Sequence, residues 1–242
     1  MVRYDVVIIG AGAAGTVATY VAAQAGLSVL CLERRDLNTV GAHWINAIPI
    51  WCLEQAGIPL PSGDELKNVA THSTLVAGHS HTAIRFSAAG IVDVDMALFI
   101  QRLRRAAVDA GAELRGHVSV RSLSEAPEDN VVHTSQGDFR ARTVVDATGI
   151  RGLNLVGAPE RTTHICVAAQ QQRVITDPQA AKAFFDAYGV QEGEKLIFTG
   201  VEGGYSVVNL CMDGDEVGIL TGSIPADGFL PGPALIQQLA RE

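Results

Sequence analysis

The residues most able to do chemistry lie near the N-terminus. Gly10-Ala11-Gly12-Ala13-Ala14-Gly15 is a GxGxxG placed between a strand-like run and a helix-like one, and Glu33 follows 18 residues beyond Gly15. Each position has a physical task. Gly10 permits a tight turn, Gly12 lets the main chain approach a pyrophosphate, and Gly15 lets the helix pack closely on the strand. The start of that helix, at Ala13 and Ala14, offers free N–H groups and a partial positive charge to phosphates. Glu33 is placed to accept hydrogen bonds from an adenosine ribose and to repel a 2′-phosphate. This context, strand then motif then helix then acidic residue, turns a weak pattern into a strong indication of dinucleotide binding, against a glycine-rich turn that binds nothing.

Other chemical groups carry less. His79-Ser80-His81, with His72 upstream, could be scanned as a metal site, but no Cys, Asp or Glu stands at a usual third-ligand spacing, so no metal is expected. Arg102, Arg104 and Arg105 read as a solvated helix face. Cys31, Cys52, Cys166 and Cys211 are too few and too scattered for a disulfide framework, which points to a reducing, cytoplasmic location. Cys52 and Cys211 read as buried apolar side chains.

The elements that must position the motif follow from periodicity. Tyr4 to Ile9 is a short β-branched run suited to a buried parallel strand, Ala13 to Ala25 reads as a helix stopped by Gly26, and Ser28 to Leu32 is the next strand. Together they spell a βαβ unit. Residues 38–92 show no sustained periodicity and read as short helical and strand pieces. Asp95 to Ala110 is an amphipathic helix with Asp93 or Asp95 as its cap and Gly111 as its end. Strands are expected over 114–124, 130–135 and 138–147, with Gln136-Gly137 as a hairpin turn, forming a β-meander. Residues 162–224 are strand-rich around one helix near 178–188, and a last helix starts at Pro233.

Composition narrows the partners. The 242 residues hold 18 Lys and Arg against 26 Asp and Glu, a net charge of −8, which disfavours nucleic acid or an anionic membrane surface. A content of 48% hydrophobic and 18% charged residues suits a protein with a large core. No run reaches the roughly 20 apolar residues of a membrane span. Asp5 and the glycines at 10, 12 and 15 argue against a secretory leader.

The run from Tyr4 to Arg34 resembles the N-terminal fingerprint of FAD-dependent oxidoreductases of the aromatic-hydroxylase, geranylgeranyl-reductase and flavin-halogenase superfamily. Asp93 to Glu113 resembles that superfamily's second helix, and Thr143 to Gly152 (TVVDATGIRG) its distal strand and turn. Gly203-Gly204-Tyr205 resembles the substrate sheet of the reductase branch. The implied fold class is α/β: a Rossmann-like FAD/NAD(P)-binding domain with a β-meander, over 1–45 plus 90–160, and a β-rich substrate domain over 46–89 plus 161–242. The implied roles place Gly10, Gly12, Ala13, Ala14 and Gly15 at the pyrophosphate, Glu33 at the ribose, Arg34 near the adenine and Val118 presenting its backbone to the adenine. Ala147, Thr148 and Gly149 would line the nucleotide from the other side. His43 would face the flavin, against the alternative that Trp44, Ile45, Ile48 and Trp51 are core residues at helical spacing.

Departures matter too. Met96 stands where many relatives carry arginine, and Thr148 where hydroxylases carry aspartate, which disfavours the hydroxylase branch. The Trp-x-Trp-x-Ile-Pro signature of tryptophan halogenases is absent. The Gly-Asp segment that holds the ribityl chain in relatives is not found either, so a missing C-terminal segment or a partner chain is expected, with weak flavin binding by these residues alone.

The expected activity is therefore that of an FAD-dependent oxidoreductase, reductase-like or monooxygenase-like. Its substrate would be an apolar or aromatic small molecule, with NAD(P)H as a candidate electron donor. The apolar residues of 162–224 would form a wall toward the flavin, with Tyr205 at the substrate rim. The alternatives are an NAD-binding dehydrogenase, a thiazole-synthase-like enzyme and a non-catalytic nucleotide-binding module.

Overall fold

The computed structural model describes residues 2–78, 82–125, 128–150, 152, 153, 155, 164–201 and 204–239. The β-branched run at the start forms β1 (Arg3–Ile9), whose Val7, Ile8 and Ile9 are buried. Such a run suits a strand covered on both faces. Helix α1 (Ala13–Gln24) follows, ended by Gly26 at φ +78°, and leads into β2 (Val29–Leu32), buried at all four residues. β1 lies parallel to β2 on one edge and to β9 (Gly137–Asp146) on the other. With β6 (Glu113–Arg115), β7 (Val120–Glu125) and β8 (Asn130–Thr134) they form a six-stranded sheet in the order β6-β2-β1-β9-β8-β7. The first four strands run parallel and the last three form the antiparallel meander.

Helix α3 (Met96–Asp109) packs against α1. Its start is fixed by the Asp95 carboxylate, which accepts hydrogen bonds from the amides of Ala97 and Leu98, and Gly111 at φ +95° turns the chain away after it. The expected single strand over 114–124 is two strands in different parts of the sheet. Gly116 and His117 separate them: His117 adopts φ +58° and its amide donates to the Arg35 carbonyl, while a Cβ at Gly116 would lie 3.1 Å from that same oxygen. The chain therefore leaves β2's edge and starts the meander at β7.

The second sheet has seven strands in the order β10-β13-β12-β11-β4-β5-β3. These are β3 (Ile45–Pro49), β4 (Leu66–Ala77), β5 (Ala83–Asp95), β10 (Val167–Val174), β11 (Lys195–Thr199), β12 (Val207–Asp213) and β13 (Glu216–Ser223). Helices α2 (Ile50–Gln55), α4 (Pro178–Ala187, capped by Asp177) and α5 (Gly232–Leu239) complete the chain. Phe185 of α4 packs with Val76, Val190 and Leu196, and Leu235 of α5 with Tyr205 and Val208, so both helices cover one face of this sheet. The long strands β4 and β5 replace the short pieces expected over 38–92. Their alternation is hidden because Ser73 and Thr74 are both buried while Val69 and Ile84 are exposed.

The chain divides into two compact units, Met1–Asn46 with Trp51–Lys67 and Val94–Glu160, and Ala47–Ile50 with Asn68–Asp93 and Arg161–Glu242. Residues 51–67, which the sequence placed with the second domain, belong to the first. The reason lies on α3: the Arg102 guanidinium makes a forked pair with Glu65 at 2.7 and 2.8 Å and also donates to the Pro59 carbonyl. Arg102 is a tether for that segment, whereas the sequence suggested a freely solvated group.

In the second unit two buried carboxylates anchor β4, β5 and the start of β11. Asp93 pairs with Lys195 and accepts from Asn68, and Glu194 accepts from Arg85, the Thr71 hydroxyl and the Gln191 amide, with His72 Nδ1 at 3.4 Å. Burial alone would raise the Glu194 pKa, but the Gln191 amide, Arg85 and Thr71 outweigh it and hold the carboxyl below its ordinary 4.5. Glu194→Gln should cost about 1–2 kcal/mol near neutral pH, a value kept modest because Arg85 and His72 are half-exposed. A depressed native pKa contributes stability above 4.5 and loses it as the pH falls through the native value, so the gap between wild type and variant should close in acid. Urea midpoints at neutral pH and at successively lower values measure this.

Candidate dinucleotide site

The turn after β1 is built by contacts that only glycine allows. Gly10 sits at φ +100°, and a Cβ there would lie 2.6 Å from the Ala147 carbonyl oxygen at the end of β9. A Cβ at Gly15 would lie 1.8 Å from the Gly10 carbonyl oxygen, so α1 rests directly on the turn. Gly12 is different: it is extended, at φ −68° and ψ −169°, and a Cβ there would meet nothing within 4 Å. It is the N-cap of α1, and no side chain caps that end.

The open side of Gly12 belongs to a groove of about 430 Å³, within the usual range for small-molecule sites. Gly10, Gly12, Ala13, Ala14, Glu33 and Arg34 line it from one side. Val118 lines it beside Glu33, and Ala147, Thr148 and Gly149 line it at the end of β9, so the structure gathers ten of the twelve nucleotide-side residues expected from the sequence. Gly15 acts from behind, through packing. His43 is exposed and outside this lining, with its Nε2 3.1 Å from the Thr39 carbonyl oxygen. Trp44 and Trp51 are also exposed, so the reading of them as core residues does not hold.

Glu33 is 5% exposed. One carboxylate oxygen accepts the Ala11 amide and the other the Arg35 amide, both at 2.9 Å. Each oxygen keeps acceptor capacity on its remaining side. Glu33 therefore braces the glycine-rich turn and lines the groove at once. The Val118 amide is already donated to the Glu33 carbonyl, which ties this strand end to the same wall.

On the far side the sequence reading missed Asp146. Its carboxylate accepts from the Thr148 amide and hydroxyl and from the Leu155 amide, which sets the turn that presents Ala147 to Gly149. Burial alone would raise the Asp146 pKa, but these hydrogen bonds outweigh it and hold the group below its ordinary value. The signal was present as an aspartate two residues before a threonine at a strand end, the spacing of an Asx turn. Beneath the glycine-rich turn lies Cys31, whose thiol burial pushes to about 11, so it stays protonated and inert.

The substrate-side expectations fare differently. Tyr205 is buried, and its hydroxyl donates to the Leu235 carbonyl, so it ties α5 to the sheet and does not stand at a rim. Leu196, Phe198, Val208 and Leu210 are likewise core under α4 and α5. The opposite face is mixed, since the register aligns Leu75, Ile197, Asn209, Leu220 and Gln170 in one row across it. Cys211 shares that face, its thiol raised to about 11 by burial. Among the described residues no group of three His, Cys, Asp or Glu could hold a metal, and His79 and His81 lie outside them.

Comparison with known proteins decides the family. A family model described as FAD dependent oxidoreductase matches residues 54–216, and one described as NAD(P)-binding Rossmann-like domain matches residues 8–47. The chain belongs to the FAD-dependent oxidoreductase family. Within this family's reach, digeranylgeranylglycerophospholipid reductase 1 of Methanopyrus kandleri is 32% identical over 208 residues, covering 81% of this chain and 54% of the relative. The second such reductase of that organism is 32% identical over 83% of this chain and 53% of its own length. The chain thus spans about half the length of the curated relatives it matches. A thiamine thiazole synthase of Saccharolobus islandicus is 30% identical over 61% of this chain and 55% of its own length. Among solved structures, a geranylgeranyl bacteriochlorophyll reductase-like protein of Thermoplasma acidophilum aligns with a TM-score of 0.68 at 19% identity, covering 92% of this chain and 57% of that one. A halogenase PltM mutant in complex with FAD aligns at 0.74 with 15% identity, covering 98% and 55%. These two show the fold that the family shares.

Proposed function

We propose that this chain supplies the FAD-binding groove and part of the substrate sheet of a flavin-dependent reductase acting on an apolar, isoprenoid-type molecule. The observation that carries the reading is the open side of Gly12 at the uncapped start of α1, in one groove with the Glu33 carboxylate. FAD, when bound, supplies two-electron redox chemistry. The chain's own residues do the holding. The α1 N-terminus and the glycine-rich turn receive the pyrophosphate, Glu33 accepts the ribose hydroxyls, and Arg34 and Val118 flank the adenine. Ala147 to Gly149 close the groove from β9.

The substrate class rests on the two Methanopyrus kandleri reductases, whose name specifies a digeranylgeranyl lipid, and on the half-open row of Leu75, Ile197 and Leu220. NAD(P)H as electron donor and a cytoplasmic location belong to the same reading, as does the assignment of the first unit to the nucleotide and the second to the substrate. Among the described residues no helix is long and apolar enough to cross a membrane.

Gly12→Ala tests the groove, because the methyl group would fill ligand space without touching the protein. The variant should melt within about 1 °C of wild type while FAD affinity falls about tenfold or more, as expected for a steric block in a preformed site. Flavin fluorescence titration of the full-length protein measures it. Equal affinity for FAD in the variant would remove Gly12 from the site.

A further inference from the structure

Arg104 is a half-buried cationic side chain whose placement no ion pair explains. It lies on α3 at i+4 from Ile100 and i−3 from Ala107, on the buried stripe of the helix, and its guanidinium reaches three main-chain carbonyls. Nη2 donates to Ala11 of the glycine-rich turn and to Val40 at 3.0 Å, and Nη1 donates to Leu37. Nε is buried without a hydrogen-bond partner, and among the described residues Arg104 forms no salt bridge. Segment 37–41 is held close to this side chain: a Cβ at Gly41 would lie 3.0 Å from Ile100 Cδ1 and 3.7 Å from Arg104 Nη2. Val40 in turn lines the groove.

Three carbonyls alone would be served as well by a neutral donor, at a lower desolvation cost than a cation that Glu33 attracts without pairing with it directly. A guanidinium held directly behind Ala11, one residue before the open Gly12, gives something a neutral donor cannot: positive charge under the place a diphosphate would occupy. We propose that Arg104 is a positioning residue for the dinucleotide, fixing the Ala11 carbonyl and the 37–41 wall while adding its charge to that of the α1 N-terminus. This rests on the dinucleotide reading of the groove. It follows that the diphosphate is held by two sources of positive potential, a helix end in front and a buried guanidinium behind. Burial pulls the Arg104 pKa down from its ordinary value, opposed by the nearby Cys31 and Glu33 side chains.

The test compares Arg104→Met, Arg104→Lys and wild type in the full-length protein, using FAD and ADP as probes, calorimetric affinity at low and high salt, and thermal unfolding without ligand. Wild type must first bind FAD and ADP; if it binds neither, the groove reading fails and not the role of Arg104. Given binding, Arg104→Met should lose about tenfold or more in affinity for both ligands and show a flatter salt dependence, while Arg104→Lys, keeping the charge, should recover most of the loss. A folded Met variant with wild-type affinity and salt dependence would overturn the proposal. A Lys variant as weak as Met would overturn the charge component. Should Arg104→Met fail to fold, Arg104→Lys decides by the same readouts, and failure of both to fold would make Arg104 a residue of the fold alone and end the proposal.

Discussion

Gly15→Ala is expected to unfold the first unit at temperatures where wild type is stable. The added methyl carbon would sit 1.8 Å from the Gly10 carbonyl oxygen and 3.3 Å from Ala147 Cβ, and neither neighbour can yield. Gly10 is itself pinned, with φ +100° and its own missing Cβ facing the Ala147 oxygen at 2.6 Å. Relief would require α1 to lift off β1 and β9, at a cost of about 3 kcal/mol or more for overpacking against backbone. A loss that large is a substantial fraction of an ordinary domain's stability. Chemical denaturation with far-ultraviolet circular dichroism measures it. Gly26→Ala is the control: its φ is +78°, but a Cβ there meets nothing within 4 Å, so only backbone strain of about 1 kcal/mol is expected. Equal midpoints for the two variants would show that the Gly10–Gly15 contact is not what closes the turn.

Glu33→Ala is expected to lose both stability and ligand. Two backbone amides, those of Ala11 and Arg35, would be left without their acceptor in a site only 5% exposed, costing about 2–3 kcal/mol. The ribose hydroxyls would lose their acceptor as well, weakening FAD retention by about 1.5–3 kcal/mol, or roughly 10- to 150-fold. The two losses separate by comparing FAD, which carries the adenosine ribose, with inorganic pyrophosphate, which does not. Pyrophosphate affinity should fall less than FAD affinity. Unchanged flavin occupancy in the variant would sink the ribose assignment.

The local part of this site is legible in the sequence because each of its steps is short. Strand, turn, helix and strand over residues 3–32 follow one another with connections that glycine specifies, and Glu33 comes at the end of the second strand, where the turn can reach it. The far wall is legible only through the family likeness of Thr143 to Gly152, since nothing in its own periodicity says that β9 lies beside β1. Arg104 was misread because its neighbours Arg102 and Arg105 suggested a charged face. Its position four residues after the buried Ile100 was the contrary signal, and three carbonyl acceptors are invisible to any scan of side-chain types. Tyr205 was misread for a related reason. Glycines beside an aromatic residue suggest an approachable rim, but here Gly204 makes room for the Phe229 ring, 2.3 Å from where its Cβ would stand. Strands β4 and β5 escaped because their buried residues include polar Ser73, Thr74 and Asp93, which break the apolar alternation; of these Asp93 is met by Lys195 and Asn68.

The parallel pairing of β1 with β9 joins Arg3 to Arg140 and Ile9 to Asp146, so during synthesis β1 waits for a partner made 137 residues later. At ordinary rates of synthesis that interval is about 7–27 seconds. Throughout it, one edge of a strand that ends in the apolar run Val6 to Ile9 lacks its partner, a condition in which unpaired strands meet one another readily. Synthesis rate, expression temperature and chaperone supply should therefore govern the soluble yield of this protein more strongly than its final stability does.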